Sequence, residues 1–352
     1  MIELRNDSQR AEYLKDLLKE LFPGKTRFTD KFIDVGAMNY VYSMEANGHI
    51  IYLKQALDEA KNKDKIGKDL ADIPKNRIGY EDKYIETISK FLPKEIELPK
   101  ILKYDKKNNI LIISDVKKGG VLLEESLLNG NFNVKTAYNL GKFLGLSHKS
   151  TIGRKITIRG SEENDADNWE IFLKMRTKGI LQKEKFSDDV VKNVNNVYED
   201  VKSNHTNNVV INMDCCPKNV FERKDGSIGL VDFELASGIG DQAYYLGFLI
   251  GHYFLMGVIG RDNIKDAIYA VKEILKAYDE QMKNLKDEEH DKRVIKYSGM
   301  VMIYRVTGSS PAPYIKPEVI HLVKETGFCL IINEFEKCFD SLFRYLAQNL
   351  TI

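Results

Sequence analysis

A lysine lodged in an apolar run restricts the fold of this chain more than any other single feature. Lys54 stands inside Ile50-Ile-Tyr-Leu-Lys-Gln-Ala56, whose β-branched and aromatic residues specify a strand. Lysine is seldom buried without a partner, so the strand needs a carboxylate brought to it by the rest of the fold; an exposed lysine on an edge strand is the plainer alternative. The next helical pattern supplies one. Glu81, Tyr84, Ile85 and Ile88 follow i, i+3, i+4, i+7 spacing, which puts Glu81 on the inward stripe. Glu86 falls on the polar side with Ser89 and Lys90. The expectation is an ion pair between Lys54 and Glu81.

The elements around this pair are legible. Phe32–Val35, Tyr40–Glu45 and Ile50–Gln55 read as strands, and Asn47-Gly48 between the last two is a strong hairpin signal. The Lys/Asp-rich segment 58–75 reads as a loop. A helix is expected from Asn76 to Phe91, stopped by Pro93, then strands Ile101–Tyr104 and Ile110–Asp115 around a turn. From Val134 the pattern is helical: 134–149, 167–178, 188–203 and two long stretches after Asp241. One β-type interruption spans 209–234, with Lys224-Asp-Gly-Ser227 as a second hairpin signal. The fold class expected is α+β with two lobes. Residues 1–116 form a small antiparallel five-stranded lobe with one helix, preceded by an amino-terminal helix; residues 117–352 form a larger, mainly helical lobe.

A chain of 352 residues, 43% of them hydrophobic, can bury the cores of two such lobes. Its 53 Lys plus Arg nearly balance its 52 Asp plus Glu, which removes the usual electrostatic case for a nucleic-acid or anionic-membrane partner. A small-molecule partner fits better, and a homodimer is left open. The apolar stretch Tyr244–Ile259 contains His252 and is short for a bilayer span, so a buried helix is expected. The amino-terminal residues read as an amphipathic helix, charged throughout, and not as a leader. Four cysteines without a CxxC pair or a Cys/His cluster suit a reducing, cytoplasmic setting. The Lys286–Arg293 cluster has mixed sign and reads as a solvated turn.

The chemistry is expected in the β-type interruption. Asp214 is followed five residues later by Asn219 and, after the hairpin, by Val231-Asp-Phe-Glu234. Phosphoryl transfer asks for an Asp that orients and deprotonates a hydroxyl, and for oxygen ligands that hold Mg²⁺ on nucleotide phosphates. Asp214 suits the first role; Asn219, Asp232 and Glu234 suit the second. Each also has a plain reading as a turn or cap residue. Gly36-Ala37-Met38-Asn39 forms a turn that can lay backbone N–H groups over phosphates. The order decides: turn, strand lysine, helix glutamate, connection, helices, Asp…Asn, hairpin and Asp-Phe-Glu is the order of parts in kinase-like folds.

At these residues the sequence resembles the aminoglycoside-phosphotransferase-like kinases, and within them the 5-methylthioribose kinases. Val35-Gly-Ala-Met-Asn-Tyr-Val-Tyr42 resembles that family's phosphate loop, and Leu53-Lys-Gln-Ala-Leu57 its nucleotide-lysine strand. Arg77-Ile-Gly-Tyr-Glu-Asp82 resembles the start of its glutamate helix, and Val301-Met-Ile-Tyr-Arg-Val306 a helix that presents arginines to a sugar. The resemblance implies a two-lobed protein-kinase-like fold and an ATP- and Mg²⁺-dependent phosphotransferase with a metabolite hydroxyl as acceptor. Asp214 is then the base; Asn219, Asp232 and Glu234 hold metal; Gly36–Asn39, Lys54 and Glu81 serve the nucleotide. Ser114, Asp115 and Val116 offer backbone bonds to adenine, and Arg305 with Tyr304 faces the acceptor. Methylthioribose or a related sugar leads; choline or another amino alcohol, homoserine and aminoglycosides are alternatives, as is a nucleotide-binding module without turnover. The sequence departs from the family pattern at Asn212-Met213, where His-Gly is usual, and at Tyr304, where an arginine is usual.

Overall fold

The computed structural model describes residues 2–22, 28–33, 38–58, 61, 76–203, 208–260, 263–309, 311–332 and 339–350. In the small lobe, β1 (Phe28–Ile33), β2 (Tyr40–Ala46), β3 (His49–Gln55), β5 (Ile101–Asp105) and β6 (Ile110–Ser114) form an antiparallel sheet in the order β1-β2-β3-β6-β5. The β2–β3 hairpin closes on Asn47 and Gly48, both at positive φ, as a two-residue loop of the primed type requires. β1 starts four residues before the expected Phe32. Its polar Thr29-Asp30-Lys31 hid it from the pattern, and they are tolerated because β1 is an exposed edge. The segment 58–75 lies largely outside the described residues.

Strand alternation gives the sheet two different faces. Ile51, Leu53, Ile110 and Ile112 pack under α1 (Asp7–Leu21) through Leu14, Leu17 and Leu18. Asn6 caps that helix by accepting from the Gln9 N–H. On the other face, Leu111 and Ile113 cluster with Ile78 of α2 (Arg77–Ile88). Lys54 shares the parity of Tyr52, not of Leu53, and so points toward α2 and the space between the lobes.

β4 (Ile96–Glu97), which the sequence did not reveal, precedes the expected lobe boundary at 116 yet runs parallel to β10 (Ile228–Leu230) of the large lobe. With β9 (Val220–Glu222) and β7 (Val121–Leu122) they make a second sheet, ordered β4-β10-β9-β7. A two-residue strand is below what periodicity can detect. β8 (Ile211–Asn212) pairs with β11 (Ala236–Ser237). These short strands hold the loops that carry Asp214 and Asp232. Helices enclose them: α3 (Leu123–Leu128), α4 (Val134–Thr151), α5 (Glu162–Arg176), α6 (Asp188–Ser203), α7 (Gln242–Ile259), α8 (Ile264–Met282), α9 (His290–Thr307), α10 (Pro317–Ile332) and α11 (Phe339–Asn349).

α7 is long and apolar enough to cross a membrane by length and composition, but it is almost wholly buried among its neighbours. A Cβ on its Gly247 or Gly251 would meet Val294 and Ser298 of α9 at under 3 Å, so these glycines let α9 lie directly on α7. That contact sets the position of Arg305 in the last turn of α9. The expected solvated turn near 286–293 is instead a buried ionic joint. Arg293 donates to Asp241 at 2.8 Å and to Asp287 at 2.7 Å, and His290 stacks on Tyr278. Asp241 also caps α7 by accepting from the Ala243 N–H.

Candidate active site

Lys54 and Glu81 meet as expected. The ammonium donates to Glu81 Oε2 at 2.6 Å and, across the lobes, to Asp232 Oδ1 at 2.8 Å. Glu81 is fully buried and Lys54 is 9% exposed. Burial acts to strip the lysine of its proton, but Asp232, Glu81 and Glu234 outweigh it and hold the ammonium above its ordinary range. Burial pushes the Glu81 carboxyl up; Lys54 opposes that shift and Asp232 adds to it. One cation thus bridges two carboxylates from different lobes.

Asp232 takes a backbone conformation that L-residues seldom adopt, with φ +73. Its carbonyl accepts from Asn212 Nδ2 at 3.1 Å, while Asn212 Oδ1 accepts from the Asp214 N–H at 3.3 Å. Asn212 therefore ties the Asp232 carbonyl to the Asp214 N–H. Met213, beside it, is buried, and its carbonyl accepts from Arg176 and from the Tyr244 hydroxyl.

Asp214 is held on several sides. Arg176 reaches its Oδ1 at 3.2 Å; Lys218 lies 3.2 Å from Oδ2, and Asn219 Nδ2 donates to Oδ2 at 3.2 Å and to the Asp214 carbonyl at 2.9 Å. Burial pushes this carboxyl up, but Lys218 and Arg176, with Arg305 behind them, hold it well below the usual carboxylate range. Arg176 is buried, with its guanidinium 4.5 Å from the Phe248 ring. Arg305 lies close enough to Asp214, Glu124 and Tyr314 to shift the titration of each. Tyr304 bonds Ser309 at 3.1 Å, and its ring lies 6.0 Å from the Arg176 guanidinium, so it packs behind Arg176.

Glu234 does not stand beside Asp232 as a second open carboxylate. Its Oε2 accepts from Asn39 Nδ2 at 2.5 Å and from Arg77 Nε at 3.1 Å. Burial, with Asp232 adding and Lys54 and Arg77 opposing, pushes this carboxyl up to about 7. Arg77 also donates to the Met38 carbonyl at 3.0 Å and to Asn39 Oδ1 at 3.2 Å. It therefore fastens the end of the expected phosphate turn to α2 and to the Asp-Phe-Glu segment. Gly36 and Ala37 of that turn lie outside the described residues. In the connection, Ser114 exchanges bonds with Lys100, the Asp115 carboxylate accepts from the Lys117 and Lys118 N–H groups, and the Val116 carbonyl accepts from Arg223 at 2.5 Å.

Among the described residues no three His, Cys, Asp or Glu side chains converge as a preformed metal site. The donor set still suits Mg²⁺, which binds through one or two protein oxygens plus phosphate oxygens and waters. Asp232, 34% exposed, offers a carboxylate. Asn219 spends its amide nitrogen on Asp214, so its Oδ1 is the atom of that amide that can ligate a hard cation.

The sequence reading missed Arg77, Arg176, Lys218, Glu124 and Tyr314. One signal was available: a guanidinium in the first turn of α2 opposes the helix dipole, which marks Arg77 as serving some other partner. Other buried polar and aromatic residues serve the core. Trp169 packs edge-on to Tyr244 at 4.8 Å, and His148 Nδ1 lies 2.9 Å from the Tyr278 hydroxyl. Cys215 and Cys216 are buried, which pushes the Cys215 thiol up to about 12 and Cys216 well above its ordinary value.

Comparisons with family models and with curated protein sequences return no match. Solved structures do match. An ethanolamine kinase of Plasmodium vivax is 13% identical, with 99% of this chain and 90% of that one covered and a TM-score of 0.53. A choline/ethanolamine kinase family protein of Mesorhizobium loti is 15% identical over 95% of this chain and 99% of that one, with a TM-score of 0.51. A spectinomycin phosphotransferase, solved with ADP and spectinomycin, is 14% identical over 96% and 93%, also at 0.51. The likeness lies in the fold: this chain has the two-lobed α+β protein-kinase-like architecture of those phosphotransferases.

Proposed function

We propose that this protein is an ATP-dependent small-molecule kinase that transfers the γ-phosphate to a hydroxyl of a soluble metabolite. The observation that carries the reading is the Lys54 bridge between Glu81 and Asp232, with Asp214 fixed one loop away on the same cleft. In this reading Lys54 serves the α- and β-phosphates, the turn ending at Asn39 covers them, and the Asp115–Val116 backbone reads adenine. Asp232 and Asn219, with Glu234 behind them, would hold Mg²⁺, which would supply neutralisation of phosphate charge. Asp214 takes the proton of the acceptor hydroxyl as its oxygen bonds to the γ-phosphorus. The bond to the β,γ-bridging oxygen breaks, and its electron pair leaves with ADP. A carboxylate of low basicity suits this, because proton transfer can trail a loose transition state.

The acceptor we infer is a small sugar, with 5-methylthioribose phosphorylated at its 1-hydroxyl as the leading case. Arg176, Lys218 and Arg305 gather around Asp214, with Glu124 the carboxylate facing them. Those cations outnumber Asp214 and Glu124, which disfavours an acceptor carrying positive charge, while Arg305 can hold sugar hydroxyls in its planar fork. An ADP-release assay with methylthioribose, common pentoses, choline, homoserine and an aminoglycoside tests this. Turnover with the sugar supports it; turnover only with an amine rejects the sugar and keeps the kinase; no turnover with any acceptor and no nucleotide binding rejects both.

A further inference from the structure

Lys218 is the cation that the roles above leave without a task. It belongs to the short 3-10 turn Pro217–Asn219, in which the Asn219 N–H donates to the Cys216 carbonyl at 2.9 Å. That turn aims the ammonium back at Asp214, four residues earlier, at 3.2 Å. Half of the side chain is exposed. The same ammonium also feels Asp232. Asp232 is held from the opposite side by Lys54 at 2.8 Å. The two aspartates are therefore flanked by two lysines, Lys54 from the small lobe and Lys218 from the large one.

The positions have a consequence for transfer. A phosphoryl group passing from nucleotide to acceptor must travel between the residue that holds the acceptor hydroxyl, Asp214, and the residue that holds the phosphate side, Asp232. Lys218 pairs with Asp214 at 3.2 Å, and its charge is also stabilised by Asp232. Asp214 already has Arg176 and Asn219 as donors at 3.2 Å, so it does not need Lys218 for its orientation. We propose that Lys218 is a catalytic residue that leaves Asp214 when substrates bind and takes hold of the γ-phosphoryl oxygens during transfer. It neutralises charge on the equatorial oxygens. Lys218 forms no covalent bond in this step. The proposal rests on the kinase reading and adds to it a contact made with the γ-phosphate and not with ADP.

That distinction supplies the test. The affinities of ADP and of the non-hydrolysable AMP-PNP, each with Mg²⁺, are measured by calorimetry on the wild type, Lys218→Met and Lys218→Arg. Lys218→Met should weaken AMP-PNP about ten- to a hundredfold relative to ADP, as befits a lost bond to a charged group, and Lys218→Arg should recover part of that loss. In turnover, kcat of the Met variant should fall about 10²- to 10³-fold. Thermal melting of the unliganded variants should stay near that of the wild type, since the side chain is half exposed. An unchanged AMP-PNP to ADP ratio in Lys218→Met, in a wild type that binds both nucleotides, overturns the proposal and leaves the kinase reading standing. A wild type that binds neither nucleotide overturns the reading and the proposal together.

Discussion

Replacing Glu234 by glutamine separates the electrostatic load on the Asp-Phe-Glu segment from its hydrogen bonds. The carboxyl is buried and stands at about 7, raised from 4.5. A carboxyl raised by folding binds its proton more tightly in the native state, so its stabilising contribution is complete below the unfolded value near 4.5. That contribution is lost as pH rises toward 7. At about 1.4 kcal/mol per unit, the ionised Glu234 opposes folding by about 3 kcal/mol above pH 7. The glutamine amide oxygen can still accept from Asn39 and Arg77, as Oε2 does, while the charge is gone. For 352 residues melting as a unit, at roughly 2 cal/mol/K of unfolding entropy per residue, that gain is worth about 4 °C. Melting curves without nucleotide or metal should therefore show Glu234→Gln above the wild type by about that much at pH 8. The difference should shrink toward zero at pH 5. A variant that melts lower at pH 8, or by the same offset at both pH values, would mean that the Arg77–Glu234 pair is net stabilising and refute the reasoning.

Three other substitutions have distinct expected outcomes. Lys54→Met strands Glu81 and Asp232 without their shared cation; removing one partner of a buried pair typically costs about 3–5 kcal/mol, so the melting point should drop and Mg²⁺-ATP should bind far more weakly, both checked by thermal shift. Asn212→Ala frees the Asp232 carbonyl, and kcat should fall about tenfold or more with little change in nucleotide affinity, as for a residue that acts through another. Arg305→Ala should raise KM for the true acceptor while the affinity for ADP, read by calorimetry, stays as in the wild type.

The parts legible in the sequence were those set by local periodicity. Glu81 fell on the buried stripe of α2 because Tyr84, Ile85 and Ile88 had to, and Lys54 could face it because Ile51 and Leu53 claimed the other side of the sheet. Asn47-Gly48 set its turn by backbone chemistry alone. What stayed hidden was chosen by tertiary proximity. Arg77 finds Met38, Asn39 and Glu234 across gaps of up to 157 residues, and no local pattern reports such a partner. The two residues of β4 gain meaning only from their parallel neighbour β10. Arg293 looks like a surface charge until Asp241, 52 residues away, is brought onto it. The departure at Asn212 was visible, but its consequence was not: a side-chain amide donates one bond and accepts another, and only the folded loop shows that both are used.

The central claim is that Asp214 directs γ-phosphate transfer from a nucleotide held in this cleft. The most direct measurement follows radiolabelled γ-phosphate from ATP to the accepted metabolite in single turnovers of the wild type and of Asp214→Asn, with nucleotide affinity measured in parallel. The account predicts labelled product from the wild type, a loss of about 10²- to 10⁴-fold in the variant and ATP binding retained in both. Equal transfer by the two proteins, or a wild type that does not bind ATP with Mg²⁺, would contradict it.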